Sequence, residues 1–300
     1  MYKRQYQYCH ILNSRLSLIL ILLLSCSHRD DFDLQGHRGA VGLFPENSII
    51  GFIETVKLGV TTLEMDVVIT KDNKVLVSHE PWISNKKCID IRGNDISDDI
   101  LTENIYTMNF DEIKNFDCGT LPNPDHADQK KVSVIKPLLT EVISKVEGVS
   151  QSKIRYNIEI KSQIGGDQIF HPKFNEFVDL VVSDIRSKNI ESRVTIQSFD
   201  FRVLKYLKNQ YPSFKISMLV NENYNFSNIF DDLGFYPDIY SPNFKNLTYE
   251  IVKKVQEKKI QVIPWTVNSY DDIAKILELG VDGIISDYPD RVKYLLDEKI

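Results

Sequence analysis

From Leu34 to its C-terminus the sequence alternates short β-rich runs with amphipathic helical segments. The β-rich runs begin at Leu34 and Thr62 and continue at Ile154–Ile160, Arg193–Phe199, Lys215–Val220, Asp238–Ser241, Gln261–Val267 and Gly283–Ser286. Between and after them lie segments long enough to be crossover helices, the pattern of a parallel sheet covered by helices. Ile49, Phe52, Ile53 and Val56 recur at helical spacing, with Ser48 as N-cap and Gly59 as stop. Pro137–Val146 reads as a helix with Pro137 in its first turn. Phe174–Lys188, Phe201–Lys208, Tyr249–Lys258, Asp271–Leu279 and Asp290–Leu296 are the clearest of the others. The weakest stretch is Asn221–Asp231, where a helix after the fifth run is poorly defined.

Eight such βα units in 300 residues predict an α/β fold of the closed (β/α)8 TIM-barrel kind rather than an open sheet. The barrel would span 34–300. Lys71-Asp72-Asn73-Lys74 separates Thr62–Thr70 from Val75–His79 and reads as a hairpin turn. About 80–136 lacks sustained periodicity and is rich in Asp, Asn, Lys and Pro. It is expected to be a long elaborated loop inserted after the second strand, with a short helix near Phe110–Phe116; loops of this length are usually functional.

Barrel enzymes carry their chemistry at the C-terminal ends of the strands. Here those ends hold His37-Arg38-Gly39, Glu64-Met65-Asp66, His79-Glu80, Glu159-Ile160-Lys161, Gln197-Ser198-Phe199 and Trp265. Residues two apart on a strand share a face, so Glu64 and Asp66 point one way, as do Glu159 and Lys161. Three converging carboxylates, Glu64, Asp66 and Glu159, would suit a hard divalent ion, Mg²⁺ or Ca²⁺. Arg38 and Lys161 would balance an anionic substrate. The competing reading is a set of ordinary ion pairs on a solvated rim. Two neighbouring strands with charge-apolar-charge at the same end, beside His37 and His79, favour a site. His126 and His171 lie away from the strand ends and are set apart from it.

Lys3, Arg4 and Arg15 precede the apolar run Leu16–Leu24, which ends in Ser25-Cys26. The run is shorter than the ~20 residues of a spanning helix and reads as an export signal. It resembles the bacterial lipoprotein type, giving a signal peptide at 1–25, a lipid on Cys26 and a short linker at 26–33; an ordinary signal peptide or short anchor is the alternative. The chain would then be exported and membrane-anchored, periplasmic or at the cell surface. Cys88 and Cys118 would remain, either as a disulfide suited to an oxidising compartment or as two buried thiols. The formal charge of −6 becomes more negative when the basic leader is removed, which argues against nucleic acid as a partner. Any phosphate must be bound locally, by a few basic groups and a metal.

The runs Gln35-Gly36-His37-Arg38-Gly39-Ala40, Pro45-Glu46-Asn47-Ser48, Glu64-Met65-Asp66-Val67 and His79 resemble the glycerophosphodiester phosphodiesterase family. The likeness continues through Asn157-Ile158-Glu159-Ile160-Lys161, Trp265-Thr266-Val267-Asn268 and Gly280-Val281-Asp282-Gly283-Ile284-Ile285-Ser286-Asp287, covering nearly the whole mature chain in order. The resemblance implies a (β/α)8 barrel that hydrolyses glycerophosphodiesters to glycerol phosphate and an alcohol, with one bound Ca²⁺ or Mg²⁺. By position it makes Glu64, Asp66 and Glu159 metal ligands and His37 and His79 the general acid–base pair. It makes Arg38 and Lys161 phosphate contacts and sets Trp265 against the glycerol or leaving group. The family commonly has His-Asp at His79-Glu80 and Thr at Ser48. Two rival readings are a phospholipase-type barrel acting on intact lipids and a non-catalytic lipoprotein that binds phosphorylated ligands.

Overall fold

The computed structural model describes residues 32–222 and 226–298, so the apolar leader and Cys26 lie outside the described residues. The first half of the fold runs β1 (Asp33–Gly36), α1 (Ile49–Lys57), β2 (Thr62–Ile69), β3 (Val75–Val77), β4 (Ile89–Asp90), α2 (Phe110–Ile113), β5 (Phe116–Asp117), α3 (Leu139–Ser150), β6 (Arg155–Ile160) and α4 (Phe174–Ser187). The second half runs β7 (Val194–Ser198), α5 (Phe201–Gln210), β8 (Lys215–Val220), α6 (Ile229–Leu233), β9 (Ile239–Pro242), α7 (Tyr249–Gln256), β10 (Gln261–Val262), α8 (Tyr270–Glu278), β11 (Gly283–Ser286) and α9 (Pro289–Glu298).

Parallel pairing follows the order β10-β9-β8-β7-β6-β2-β1-β11, and β3 adds to β2 as an antiparallel hairpin. Between β10 and β11 the ring is closed by a sparse seam: Asp282 N to Val262 O (2.9 Å), Ile285 N to Pro264 O (3.0 Å) and Val267 N to Ile285 O (3.1 Å). The expected strand Gln261–Val267 is therefore regular only at its start, because Pro264 has no amide hydrogen to give a ladder. The α/β barrel is otherwise the predicted one. On one face its strands carry apolar residues such as Leu63, Met65, Ile158 and Ile196, all fully buried, while the alternate positions Glu64, Asp66, Asn157, Glu159 and Gln197 make the other face polar and equally buried.

Local signals explain most helix boundaries. The Ser48 hydroxyl accepts from Gly51 N, and Gly59 follows α1 at φ 84°. Pro137, expected inside a first turn, stays outside α3, which begins at Leu139; its carbonyl instead accepts from Val77 N. The weak region after β8 contains a helix of five residues, α6.

Residues 80–136 form more than an elaborated loop. Ile83, Cys88, Ile105, Phe110, Ile113 and Phe116 bury themselves against Val68 and Leu76 of the β2–β3 hairpin, and β4 pairs with β5. A disulfide joins Cys88 to Cys118, with Cα atoms 4.0 Å apart. By closing a loop of 30 residues it contributes on the order of 3 kcal/mol.

Candidate active site

Strand register stacks the charged residues of β2 and β6. Asp66 lies opposite Glu159, and Glu64 opposite Asn157. Glu64, Asp66 and Glu159 are all buried, and one oxygen from each lies within 4.8 Å of the others. The turn after β1 closes over them. Arg38, Gly39 and Ala40 adopt φ of 50°, 75° and 57°, a left-handed run unusual outside glycine. The turn aims the Arg38 amide at Glu64 Oε2 (2.8 Å). Gly39 is required there, since a Cβ would come within 3.0 Å of the Phe52 backbone nitrogen.

The basic groups meet the same carboxylates. Arg38 Nε lies 3.2 Å from Asp66 Oδ2, and its Nη1 3.0 Å from Glu46 Oε2. Lys161 Nζ lies 2.9 Å from Glu159 Oε1 and 3.8 Å from Asp66 Oδ1. Asp66 is held further by Asn47, whose Nδ2 donates to Oδ2 (2.9 Å). Gln197 Nε2 donates to Glu64 Oε1 (2.8 Å) while its own oxygen accepts from Asn157.

Each histidine has a carboxylate against Nδ1. His37 Nδ1 meets Asp287 Oδ1 at 2.5 Å, and its Nε2 lies 3.9 Å from Glu64. His79 Nδ1 lies 3.2 Å from Glu80 Oε1. A carboxylate on Nδ1 fixes ring orientation and leaves Nε2 available. Burial and Arg38 press the His37 pKa down, but Glu64 and Asp287 outweigh them and raise it. Burial, with Asp66 and Glu159 beside it, pushes the Glu64 carboxyl up to about 8. Burial likewise raises Glu159. For Asp66, burial is overcome by Arg38, His79 and Lys161, which hold it well below the usual carboxylate range.

These groups line one cavity of about 210 Å³, with His37, Arg38, Glu64, His79, Glu159, Lys161, Gln197 and Trp265 on its walls. Trp265 stands edge-on to Phe199 at 5.4 Å and donates its Nε1 hydrogen to Ser241 O. A divalent cation fits the triad. The donors are all oxygen, like charges crowd there without one, and Asp66 Oδ1 is buried with no hydrogen-bond partner.

The sequence-predicted residues thus converge at one end of the barrel, and four neighbours join them for which sequence reasoning gave no role. Glu46, Asn47 and Asp287 stand in the runs that carry the family likeness, and Gln197 at a strand end; those positions were the available signal. His126, set apart in the sequence, is brought back by the insertion. Its Nε2 lies 3.8 Å from Asp287 Oδ2 and its Nδ1 3.1 Å from the Tyr288 hydroxyl. His171 is buried away from the cavity, meeting Pro172 O and accepting from Gln163 N.

A model of the glycerophosphoryl diester phosphodiesterase family matches residues 37–291. A glycerophosphodiester phosphodiesterase of Caldanaerobacter subterraneus subsp. tengcongensis is 28% identical over 260 residues, covering 85% of this chain and 94% of that protein. A lysophospholipase D of Rattus norvegicus is 23% identical over 287 residues, covering 87% and 85%. A solved Silicibacter pomeroyi protein described as a glycerophosphoryl diester phosphodiesterase has a TM-score of 0.80 at 28% identity, covering 88% of this chain and 92% of that one. With family match, fold and site in agreement, this chain belongs to the glycerophosphoryl diester phosphodiesterase family and is an enzyme of that class.

Proposed function

We propose that the enzyme hydrolyses glycerophosphodiesters to glycerol 3-phosphate and an alcohol, with Ca²⁺ or Mg²⁺ held by Glu64, Asp66 and Glu159. The observation that carries this reading is one cavity lined by two carboxylate-oriented imidazoles, a basic pair and the carboxylates Glu64 and Glu159, with Asp66 buried beside them to complete the triad. Further support for the product comes from an Oleispira antarctica phosphodiesterase solved with sn-glycerol-3-phosphate. It shares the fold at 19% identity with a TM-score of 0.70, covering 88% of this chain and 96% of that one.

When bound, the cation supplies Lewis-acid charge to the phosphoryl oxygens. Arg38 and Lys161 neutralise the phosphodiester anion and orient it. One of His37 and His79 takes the proton from the nucleophile as its oxygen bonds to phosphorus. The other gives its proton to the departing alkoxide as the second P–O bond breaks. Water as nucleophile gives glycerol 3-phosphate directly, whereas the neighbouring glycerol hydroxyl gives a cyclic phosphate that water then opens with the two histidines in exchanged roles. Asp287 and Glu80 keep the two rings turned for this exchange. Trp265 forms an apolar wall for the glycerol or the leaving alcohol.

The test is release of glycerol phosphate from glycerophosphocholine, with and without chelator. We expect chelation to abolish turnover, Ca²⁺ or Mg²⁺ to restore it, and His37→Ala or His79→Ala each to lose about 10²–10⁴-fold. Wild-type turnover in either variant would overturn the acid–base assignment. A lysophospholipid in the same assay tests the lipid-substrate reading: preferential release of its headgroup would replace the water-soluble diester as substrate.

Export with a lipid on Cys26 remains our reading for the 1–33 segment. The leader's charge and apolar pattern support it, as does the Cys88–Cys118 disulfide, a bond suited to an oxidising compartment. Incorporation of labelled palmitate that is lost in Cys26→Ser is the expected result; label-free wild-type protein would refute it.

A further inference from the structure

Arg38 and His79 follow different strands and share no direct contact, yet their partners are joined. Glu46 holds the Arg38 guanidinium at 3.0 Å, and Glu80 sits 3.2 Å from His79 Nδ1. Between these two carboxylates stands Lys87 of the insertion, its Nζ 2.8 Å from Glu46 Oε1 and 2.8 Å from Glu80 Oε1. Four charged side chains alternate in sign, Arg38–Glu46–Lys87–Glu80, and the row ends on the His79 imidazole. The four charged members are largely shielded, with Arg38 at 17% exposure, Glu46 at 9%, Glu80 at 17% and Lys87 at 24%, while His79 is 31% exposed. Charge-assisted hydrogen bonds at this depth are strong and directional.

The row is fixed from the insertion side. Lys87 immediately precedes Cys88 of the disulfide, and the amides of both residues bond to Ser84 O at 3.0 and 2.8 Å. The Lys87 backbone is therefore tied to a covalent staple, while its ammonium reaches inward. Without that ammonium, the repulsion between Glu46 and Glu80 is offset less, with the buried Lys136 as the remaining ammonium beside both, and each carboxylate is freer to draw its own partner out of position. Burial works against the Lys87 charge, but the two carboxylates prevail and raise its pKa.

We propose that Lys87 is a positioning residue that couples the phosphate-binding Arg38 to the acid–base His79, with the Cys88–Cys118 disulfide holding it in register. The proposal rests on the functional reading above. Its prediction is cross-talk: a change at Arg38's partner reaches His79 through Lys87, in addition to any influence carried by Asp66 and Lys136. A 1 Å displacement of a reacting group can cost on the order of a hundredfold in rate, which sets the scale.

The test compares Lys87→Met, Lys87→Arg and Glu46→Gln with wild type, reading kcat/KM on glycerophosphocholine, thermal melting, and the His79 imidazole signals by NMR. We expect Lys87→Met to lose about ten- to a hundredfold in kcat/KM and to shift the His79 signals, with both effects largely reversed in Lys87→Arg. Glu46→Gln, which does not touch His79, should shift the same signals. Wild-type kcat/KM in Lys87→Met, or a loss without any change at His79, would overturn the proposal. If Lys87→Met does not fold, unmoved His79 signals in Glu46→Gln overturn it alone. The imidazole signals do not require turnover. An inactive wild type would therefore refute the functional reading while the coupling is still decided.

Discussion

The two ends of the barrel interior use the same strands and similar residues, yet only one looks unfinished. At the N-terminal end, Asp33 accepts from Gln35, Thr61, Thr62 and Arg155. Its single charge has a single cation, 3.0 Å away, and several hydroxyl and amide donors besides. At the mouth, three carboxylates converge on Arg38 and Lys161, and a buried oxygen of Asp66 has no hydrogen bond. Polar groups in a folded interior are almost always satisfied. The N-terminal end completes its own bonding, while the crowded carboxylates of the mouth are the ones that suit the proposed cation.

The sharpest way to break this contrast is to neutralise one carboxylate at each end. Asp66→Asn should lower glycerophosphodiester turnover by about 10²–10³-fold, the scale of losing one electrostatic anchor of a transition state, while the protein stays folded by circular dichroism. Comparable turnover would mean that the mouth, too, is only structural. Gln197→Met probes the layer between the ends. Because Gln197 donates to Glu64 from behind, we expect cation affinity to fall about ten- to a hundredfold by calorimetry. Asp33→Ala should do the reverse of Asp66→Asn. Stranding its donors costs roughly 1–3 kcal/mol in denaturant unfolding, with kcat within about twofold of wild type. A large kcat loss there would erase the distinction between the ends.

The smallest effect concerns protons. In cation-free protein Glu64 binds its proton up to about pH 8, whereas an unfolded carboxyl releases it near 4.5. The folded state then holds more protons than the unfolded one, so stability falls as pH rises through that window. His37 acts in the same sense: its raised pKa gives stability that is complete below the unfolded value of 6.5 and lost above the folded one. Thermal melting of the chelated protein should decline from pH 5 to 8, and Ca²⁺ or Mg²⁺ should flatten the slope. An unchanged slope with saturating cation would mean that Glu64 is not among its ligands.

How much of this was legible depended on the range of the contact. The pairs Glu64/Asp66 and Glu159/Lys161 could be read from strand period alone, because a two-residue repeat is local. Asp287 could not be given its role in that way, since its contact with His37 spans 250 residues of chain. His126 was set aside because nothing local marks it. Its approach to Asp287 depends on how the insertion folds, and the apolar residues that fold it are scattered through polar sequence without a period. The misplaced start of α3 has a similar origin: Pro137 matches a helix signal, but its carbonyl is used by the hairpin residue Val77.

The seam between β10 and β11 bears on how such an enzyme can diversify. Trp265 and Thr266 line the substrate cavity and lie within the stretch where the ring is stitched by a few bonds rather than a full ladder. Trp265 is tied to Ser241, Pro242 and Phe244 on its other side, but neither Trp265 nor Thr266 belongs to the six consecutive paired positions on which β2 and β6 carry the acidic triad. A change of cavity wall at the seam can therefore reshape the space for the leaving alcohol without shifting the strands on which the triad is mounted.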